Sequence, residues 1–343
     1  SYTYGDDGNL HIRTTFSLGR KERKARKKAG TLDQFIPLLY SALNIKTGKL
    51  STNQIKFENK ELLSFRRWIN KGSQQLAGFF SDTEKDPDGN TTHGIFYAEL
   101  SPTYKVKSVK FNYFTKKQLK TLFKGDKGEE DGKKSCNPMG CIPGQGGCFN
   151  KSQAGGAAAG ADAALASNYD IEEVVNDKEG IYLFCSRTNK YRTQHCSTDK
   201  NGNQTCYYVY HNVKSNVTAF QLDSKGVLGW ASNIDRYVHY QSRSTATWAI
   251  EDVHLAVKPS GFYVIYEALG GRTRKERKAN KKKTDKVKRP FDYAYFERET
   301  GKFSKRRFDV NKASVKKKFR KTVVAKNVDV FNNQFYVTDT KFR

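Results

Sequence analysis

Four stretches of this chain repeat one pattern of apolar and polar positions. They are residues 39–57 (LYSALNIKTGKLSTNQIKF), 95–111 (IFYAELSPTYKVKSVKF), 217–234 (VTAFQLDSKGVLGWASNI) and 291–308 (FDYAYFERETGKFSKRRF). Each alternates apolar with polar residues, breaks at a short polar turn, then alternates again. Successive side chains of a strand point to opposite faces, so alternation broken by a turn predicts an antiparallel β-hairpin. Gly48, Gly226 and Gly301 supply turn positions where a positive φ costs nothing sterically. In the second stretch Ser101-Pro102-Thr103-Tyr104 fills the turn without glycine.

A second repeated element precedes these hairpins: a tight turn and a strand at Asn9-LHIRTTF, Ser73-QQLAGFF, Gly180-IYLFCS, Gly261-FYVIYEA and Asn333-QFYVTDT. An upstream strand fits before most of them, within residues 172–175, 253–257 and 322–330. The unit is therefore strand, tight turn, strand, variable loop, strand, tight turn, strand. One such sheet cannot bury both of its faces, whereas radial stacking of several buries them. The expected fold is all-β, a propeller-like array of four to five four-stranded antiparallel blades. A β-sandwich with similar hairpins is the competing architecture. Residues 1–111 should hold two blades, 112–168 a Cys/Gly/Ala-rich insertion, and 169–343 the remaining blades. The N-terminal unit lacks a clear first strand and the C-terminal unit stops after its second, so the two ends are expected either to share a blade or to belong to a longer chain. A start at Ser1, without an initiator Met, points to a processed chain or a fragment.

Phe220-Gln221-Leu222-Asp223-Ser224-Lys225-Gly226-Val227-Leu228-Gly229-Trp230 fits an xLDxxGxxxW strand pair that follows a GxYxxY strand. In this the chain resembles uncharacterised secreted propeller-like proteins of Bacteroidota, over most of residues 5–111 and 169–343. The resemblance implies an extracellular or cell-surface location, with the periplasm as the other choice. It implies no catalytic residues.

Charge sharpens the picture. The chain has 62 Lys+Arg against 35 Asp+Glu, a formal net charge of +27. Residues 20–28, 272–289 and 302–321 carry nearly all of that excess, leaving about +3 for everything else. The first two share a KERKA string and fall in the loop between the second and third strands of different blades. In a blade, that loop and the link to the next blade emerge on the same side. Residues 188–205, with Cys196, are read as the same kind of loop, and the insertion as a link. One side would then hold the basic loops and both cysteine groups. Clustered cations raise a positive potential over about a Debye length, ~8 Å at physiological salt. The expected function is a non-catalytic binding or scaffold protein, its anionic partner an acidic glycan, lipopolysaccharide or acidic protein surface. Arg20, Lys21, Arg23, Lys24, Arg274, Lys275, Arg277, Lys278, Lys316, Lys317 and Lys318 are the candidate binding residues. The KERKA strings could each form a helical turn, too short and polar to be stable alone. Alternatives are a subunit of an outer-membrane or extracellular assembly and a polysaccharide-acting propeller enzyme. Nucleic acid ranks lower, because neither a finger nor an RNP-type motif is visible.

Cys136, Cys141, Cys148, Cys185, Cys196 and Cys206 lie in two groups of three. An even count within irregular stretches favours disulfides over free thiols, and free thiols over zinc. No residue set calls for a metal or another cofactor. The Asp86–Asn90 and Asp199–Asn203 segments could offer oxygens to calcium but also read as ordinary turns. The six histidines are scattered, and sequence gives none a partner. No apolar run reaches the ~18 residues of a membrane span.

Overall fold

The computed structural model describes residues 2–4, 9–16, 20–31, 38–70, 73–86, 91–101, 103–122, 165–166, 169–199, 201–245, 253–267, 291–307, 328–331 and 334–337. Four four-stranded antiparallel sheets follow one another along them. The first holds β1 (Tyr2–Tyr4), β2 (Asn9–Thr15), β3 (Leu38–Asn44) and β4 (Leu50–Ile55). The second holds β5 (Lys60–Asn70), β6 (Ser73–Asp82), β8 (Gly94–Leu100) and β9 (Val106–Tyr113), with the short β7 (Thr91–Thr92) before β8. After β10 (Leu165–Ala166), which pairs with β7, the third sheet comprises β11 (Tyr169–Asp177), β12 (Gly180–Thr198), β13 (Gln204–Leu222) and β14 (Leu228–Ser242). The fourth has β15 (Val253–Lys258), β16 (Gly261–Glu267), β17 (Phe291–Glu297) and β18 (Phe303–Arg307). A two-stranded pair follows, β19 (Val328–Phe331) and β20 (Gln334–Val337). Every four-stranded sheet is a meander in chain order, as the repeat predicts. One expectation is corrected: the N-terminal unit does have a first strand, β1, three residues long and in register with Leu10–Ile12.

The sheets stack face to face through three apolar clusters. Leu38, Tyr40 and Ile55 of the first sheet meet Leu76, Phe80 and Phe96 of the second. Phe79, Ile95 and Tyr97 of the second meet Ile181, Leu183 and Phe220 of the third. Tyr182, Phe184 and Val217 of the third meet Phe262, Val264 and Phe296 of the fourth. Second and third strands of the two middle sheets are thus covered on both faces, so near-continuous apolar runs such as Phe79-Phe80 and Tyr182-Leu183-Phe184 replace strict alternation. Burying each such ring is worth ~1.5–3 kcal/mol. The short helix α2 (Lys116–Leu122) seals one cluster with Leu119 and Leu122, beside Phe114. The chain after β9 therefore enters the core before leaving the described residues.

The third-to-fourth turns lock each sheet onto its predecessor. Asn53 of β4 donates to the carbonyl of Thr103 in the next sheet's turn. Asn112 of β9 donates to Gly226 O at 2.7 Å and accepts from Leu228 N at 3.1 Å. Ser232 of β14 donates to Gly301 O, while Trp230 Nε1 donates to Arg298 O at 3.0 Å. Gly226 and Gly301 have φ of +77° and +65°. A Cβ would strike the Tyr97 ring at the first and the Trp230 ring at the second. Glycine is required there twice over, for the turn and for the close approach.

Candidate functional site

Two projections leave the sheets between a second and a third strand. One is the helix α1 (Arg20–Lys28), between β2 and β3. The other is the far half of β12 and β13.

The helix is longer than the helical turn expected of its KERKA string, and local chemistry explains why. Glu22 lies in the first turn, where the helix dipole favours an anion, and meets Arg26 at 3.3 Å one turn later. At the C-terminus Thr31 N donates to Arg26 O at 2.9 Å, with Gly30 at φ +67°, a Schellman ending. Lys21, Lys24 and Lys28 are exposed. Lys24 and Lys28 stand one turn apart, a like-charge spacing that costs a few tenths of a kcal/mol in a free helix. Arg20 and Arg23 lie in the same helix. Arg274, Lys275, Arg277, Lys278, Lys316, Lys317 and Lys318 lie outside the described residues, as do Cys136, Cys141 and Cys148.

The second projection corrects the sequence reading. Residues 188–205 are not a loop: they are the outer halves of β12 and β13, paired from Arg187↔Ser215 to Thr198↔Gln204 around a turn at Asp199–Asn203. Threonines, tyrosines and Val209 suit strands. The polar residues between them are compatible with a ribbon wet on both faces, which leaves no apolar stripe to reveal it. At ~3.4 Å per residue, residues 187–198 carry this arm roughly 40 Å. It departs at a bulge. Ser186 pairs with Val217 and Arg187 with Ser215, so Asn216 is the extra residue; it is buried, with φ +53°. Such a bulge increases local twist and turns the ribbon away from its sheet. Buried polar contacts fix its root. Lys214 meets Glu172 at 3.1 Å, Arg236 donates to Ser186 Oγ at 2.9 Å, and Tyr240 donates to Glu267 of the fourth sheet at 2.7 Å. Asn216-Val217-Thr218 and Asn203-Gln204-Thr205 are both glycosylation sequons; Asn216 is buried, whereas Asn203, at the tip, is exposed.

Cys196 and Cys206 face each other across the arm and are joined as a disulfide. Cys185 is not in a disulfide: it is a buried free thiol in the cluster between the second and third sheets, where it behaves as a small apolar residue. Burial, then Glu172 and Asp170, raise its pKa well above the ordinary thiol value, which leaves it unreactive. At the tip, Asp199 Oδ1 accepts from the backbone N of Asn201 and Asn203, and Oδ2 accepts from Asn203 Nδ2. The Asn203 bonds hold that carboxyl below its usual range. Its oxygens are engaged within the turn, and no group of three metal-binding side chains occurs among the described residues. Of the other calcium candidate, residues 87–90 lie outside the described ones, and Asp86 accepts from Thr91 Oγ1 at 2.6 Å.

The arm also gathers three histidines that sequence left scattered. Thr193 Oγ1 lies 3.0 Å from His195 Nε2 and 2.9 Å from His211 Nε2, and His211 Nδ1 lies 2.9 Å from His239 Nε2. Tyr191 stacks on His211 with centroids 4.4 Å apart and planes 5° from parallel. The His211 and His239 centroids are 5.1 Å apart. Two ring radii plus the N···N distance give about that value, so the nitrogens point at one another as in a hydrogen bond. They do not converge on a shared metal. One proton fits between these rings and two do not. Burial, then His195, lower the His211 pKa. Towards the tip, Arg192 lies over the Tyr208 ring at 4.6 Å and Arg243 over Tyr207 at 4.0 Å. Both tyrosines are 38% exposed. The signal for this cluster is the hairpin register, which appears only once 188–205 is recognised as strand.

No family model matches the chain, and no curated protein matches it. Among solved structures it is similar to a GH43 β-1,3-galactosidase solved with galactodeoxynojirimycin. That match has 10% identity and a TM-score of 0.25, over 89% of this chain and 74% of the other. No helix among the described residues is long and apolar enough to cross a membrane.

Proposed function

We propose that the stacked sheets are blades of a propeller-like array in a secreted or cell-surface, non-catalytic binding protein, whose cationic edge engages an anionic partner. One observation carries the reading: α1 and the arm both leave their sheets between the second and third strands, and both present cations. On α1 the single acid is already matched by Arg26, so Lys21, Lys24 and Lys28 remain for a ligand. First strands of successive sheets lie side by side, β5 with β11, β11 with β15 and β15 with β19, as the inner strands of blades do. The basic residues 274–278 and 316–318 join α1 in this proposal.

The test is fluorescence anisotropy with labelled alginate, a carboxylated polysaccharide, from 0.05 to 0.5 M salt. We expect binding that weakens steeply with salt. The combined variant Lys21→Ser, Lys24→Ser, Lys275→Ser and Lys278→Ser should bind more weakly with a shallower salt slope. An unchanged affinity and slope would sink the proposal. A second reading, a subunit of an extracellular assembly, draws support from the arm, which stands clear of the sheet that bears it.

A further inference from the structure

Among the described residues the arm offers a free sheet edge. β14 accompanies β13 only as far as Ser242, opposite Tyr210, and no described strand flanks β13 beyond it. Gln204–Val209 therefore expose a backbone edge of six residues, about the length of an ordinary strand. None of the six is charged, proline or glycine. Soluble proteins usually blunt a free edge with such residues, so this one is open to strand addition. It is also held straight, because Cys196–Cys206 ties it to β12 and every residue from 204 to 209 has a register partner. Ordering that a partner would otherwise have to impose is already in place.

Side chains beside the edge define what would fit. Arg243 covers the Tyr207 ring on one face of the ribbon, and Arg192 covers Tyr208 on the other. Each of these rings has one face taken by a guanidinium. The guanidinium edges keep their planar N–H donors, which suit carboxylates. From residue 200 to 215 there is no acid, and Asp199 is engaged in its own turn. A second copy pairing here would bring arginine to arginine between chains of net charge +27. We infer that the β13 edge, Gln204–Val209, takes up an extended strand of an acidic partner protein, with carboxylates on both faces of that strand meeting Arg192 and Arg243. The inference rests on the cationic-edge reading above and names its partner class.

The probe is the capped heptapeptide Val-Thr-Glu-Glu-Val-Thr-Val, whose adjacent glutamates point to opposite faces; Val-Thr-Lys-Lys-Val-Thr-Val is the control. Amide hydrogen exchange of the full chain is followed by NMR at saturating peptide. We expect the alternate amides of 204–209 that point away from β12 to gain protection with the acidic peptide alone. The exposed double change Arg192→Glu/Arg243→Glu should weaken that peptide roughly tenfold and admit the lysine peptide instead. No protection, equal protection by both peptides, or a sedimenting dimer protected at 204–209 without peptide would each overturn the inference. Alginate titration of the same sample separates the two proposals. Salt-sensitive alginate binding without arm protection refutes strand addition alone, while no alginate binding at low salt refutes the cationic edge itself.

Discussion

β12 and β13 each live in two environments. From Ile181 to Ser186, and from Val217 to Leu222, they run through the interior, with Tyr182 and Phe184 packed on Phe262 and with Leu183 and Phe220 on the other side. From Arg187 outwards the same strands run on into an arm whose outer part is wet on both faces. Inside, apolar area removed from water holds the strands, and backbone pairing is a condition of that burial. Outside, register is held by cross-strand pairs, three linked histidines, two Arg–Tyr stacks and one disulfide. The inner half should therefore fail globally and the outer half locally.

The largest effect should come from Phe184→Ala, which empties the space against Phe262 and Phe296. A loss of ~3–5 kcal/mol is expected in denaturant unfolding. A cost under ~1 kcal/mol would show that the third and fourth sheets are not cooperatively packed. Next is Cys196→Ser/Cys206→Ser. Opening the ten-residue link should lower the local opening free energy of residues 192–209 by ~2–3 kcal/mol, read by hydrogen exchange. The global midpoint should barely move; an equal fall in both would erase the distinction between arm and body.

Asn216 sits where the environments meet. Asn216→Ala places a Cβ-bearing residue without a side-chain amide at φ +53° and should cost ~1–2 kcal/mol more than Asn216→Gly. Equal costs would mean that the bulge is not what sets the arm's exit. The smallest effect is a titration. Because the folded pKa of His211 is depressed below 6.5, the unfolded root binds more protons as pH falls. Its contribution is complete above 6.5 and is lost on descending through the lower folded value. His239, His195 and Tyr191 face the ring. Near-ultraviolet circular dichroism of the stacked Tyr191 should weaken below pH 6.5, and His211→Gln should flatten that change. A pH response retained in His211→Gln would reassign it to another group.

Much of the body is legible in sequence. Gly226 and Gly301 mark turns that must also accept Tyr97 and Trp230. Alternation in 39–57 gives a strand pair whose faces differ in burial, whereas the first strand of 217–234 is covered on both faces. The position of 20–28 between β2 and β3 follows from counting strands. The arm is not legible in that way. TNKYRTQHCST has no apolar face to impose a stripe, so its polar residues read as loop, and Cys185 reads like Cys196 and Cys206 although it lies in the core. The first strand escaped because three residues are too few for a period.

The sequence by itself therefore determined the meander of each sheet, because alternation and turn glycines act between near neighbours in the chain. It also determined that the excess positive charge is gathered in three short runs. Tertiary structure alone decided which cysteines meet, which histidines share a proton, and how far β13 outruns β14. Those depend on register and stacking between distant segments, where a shift of one residue moves a side chain to the opposite face.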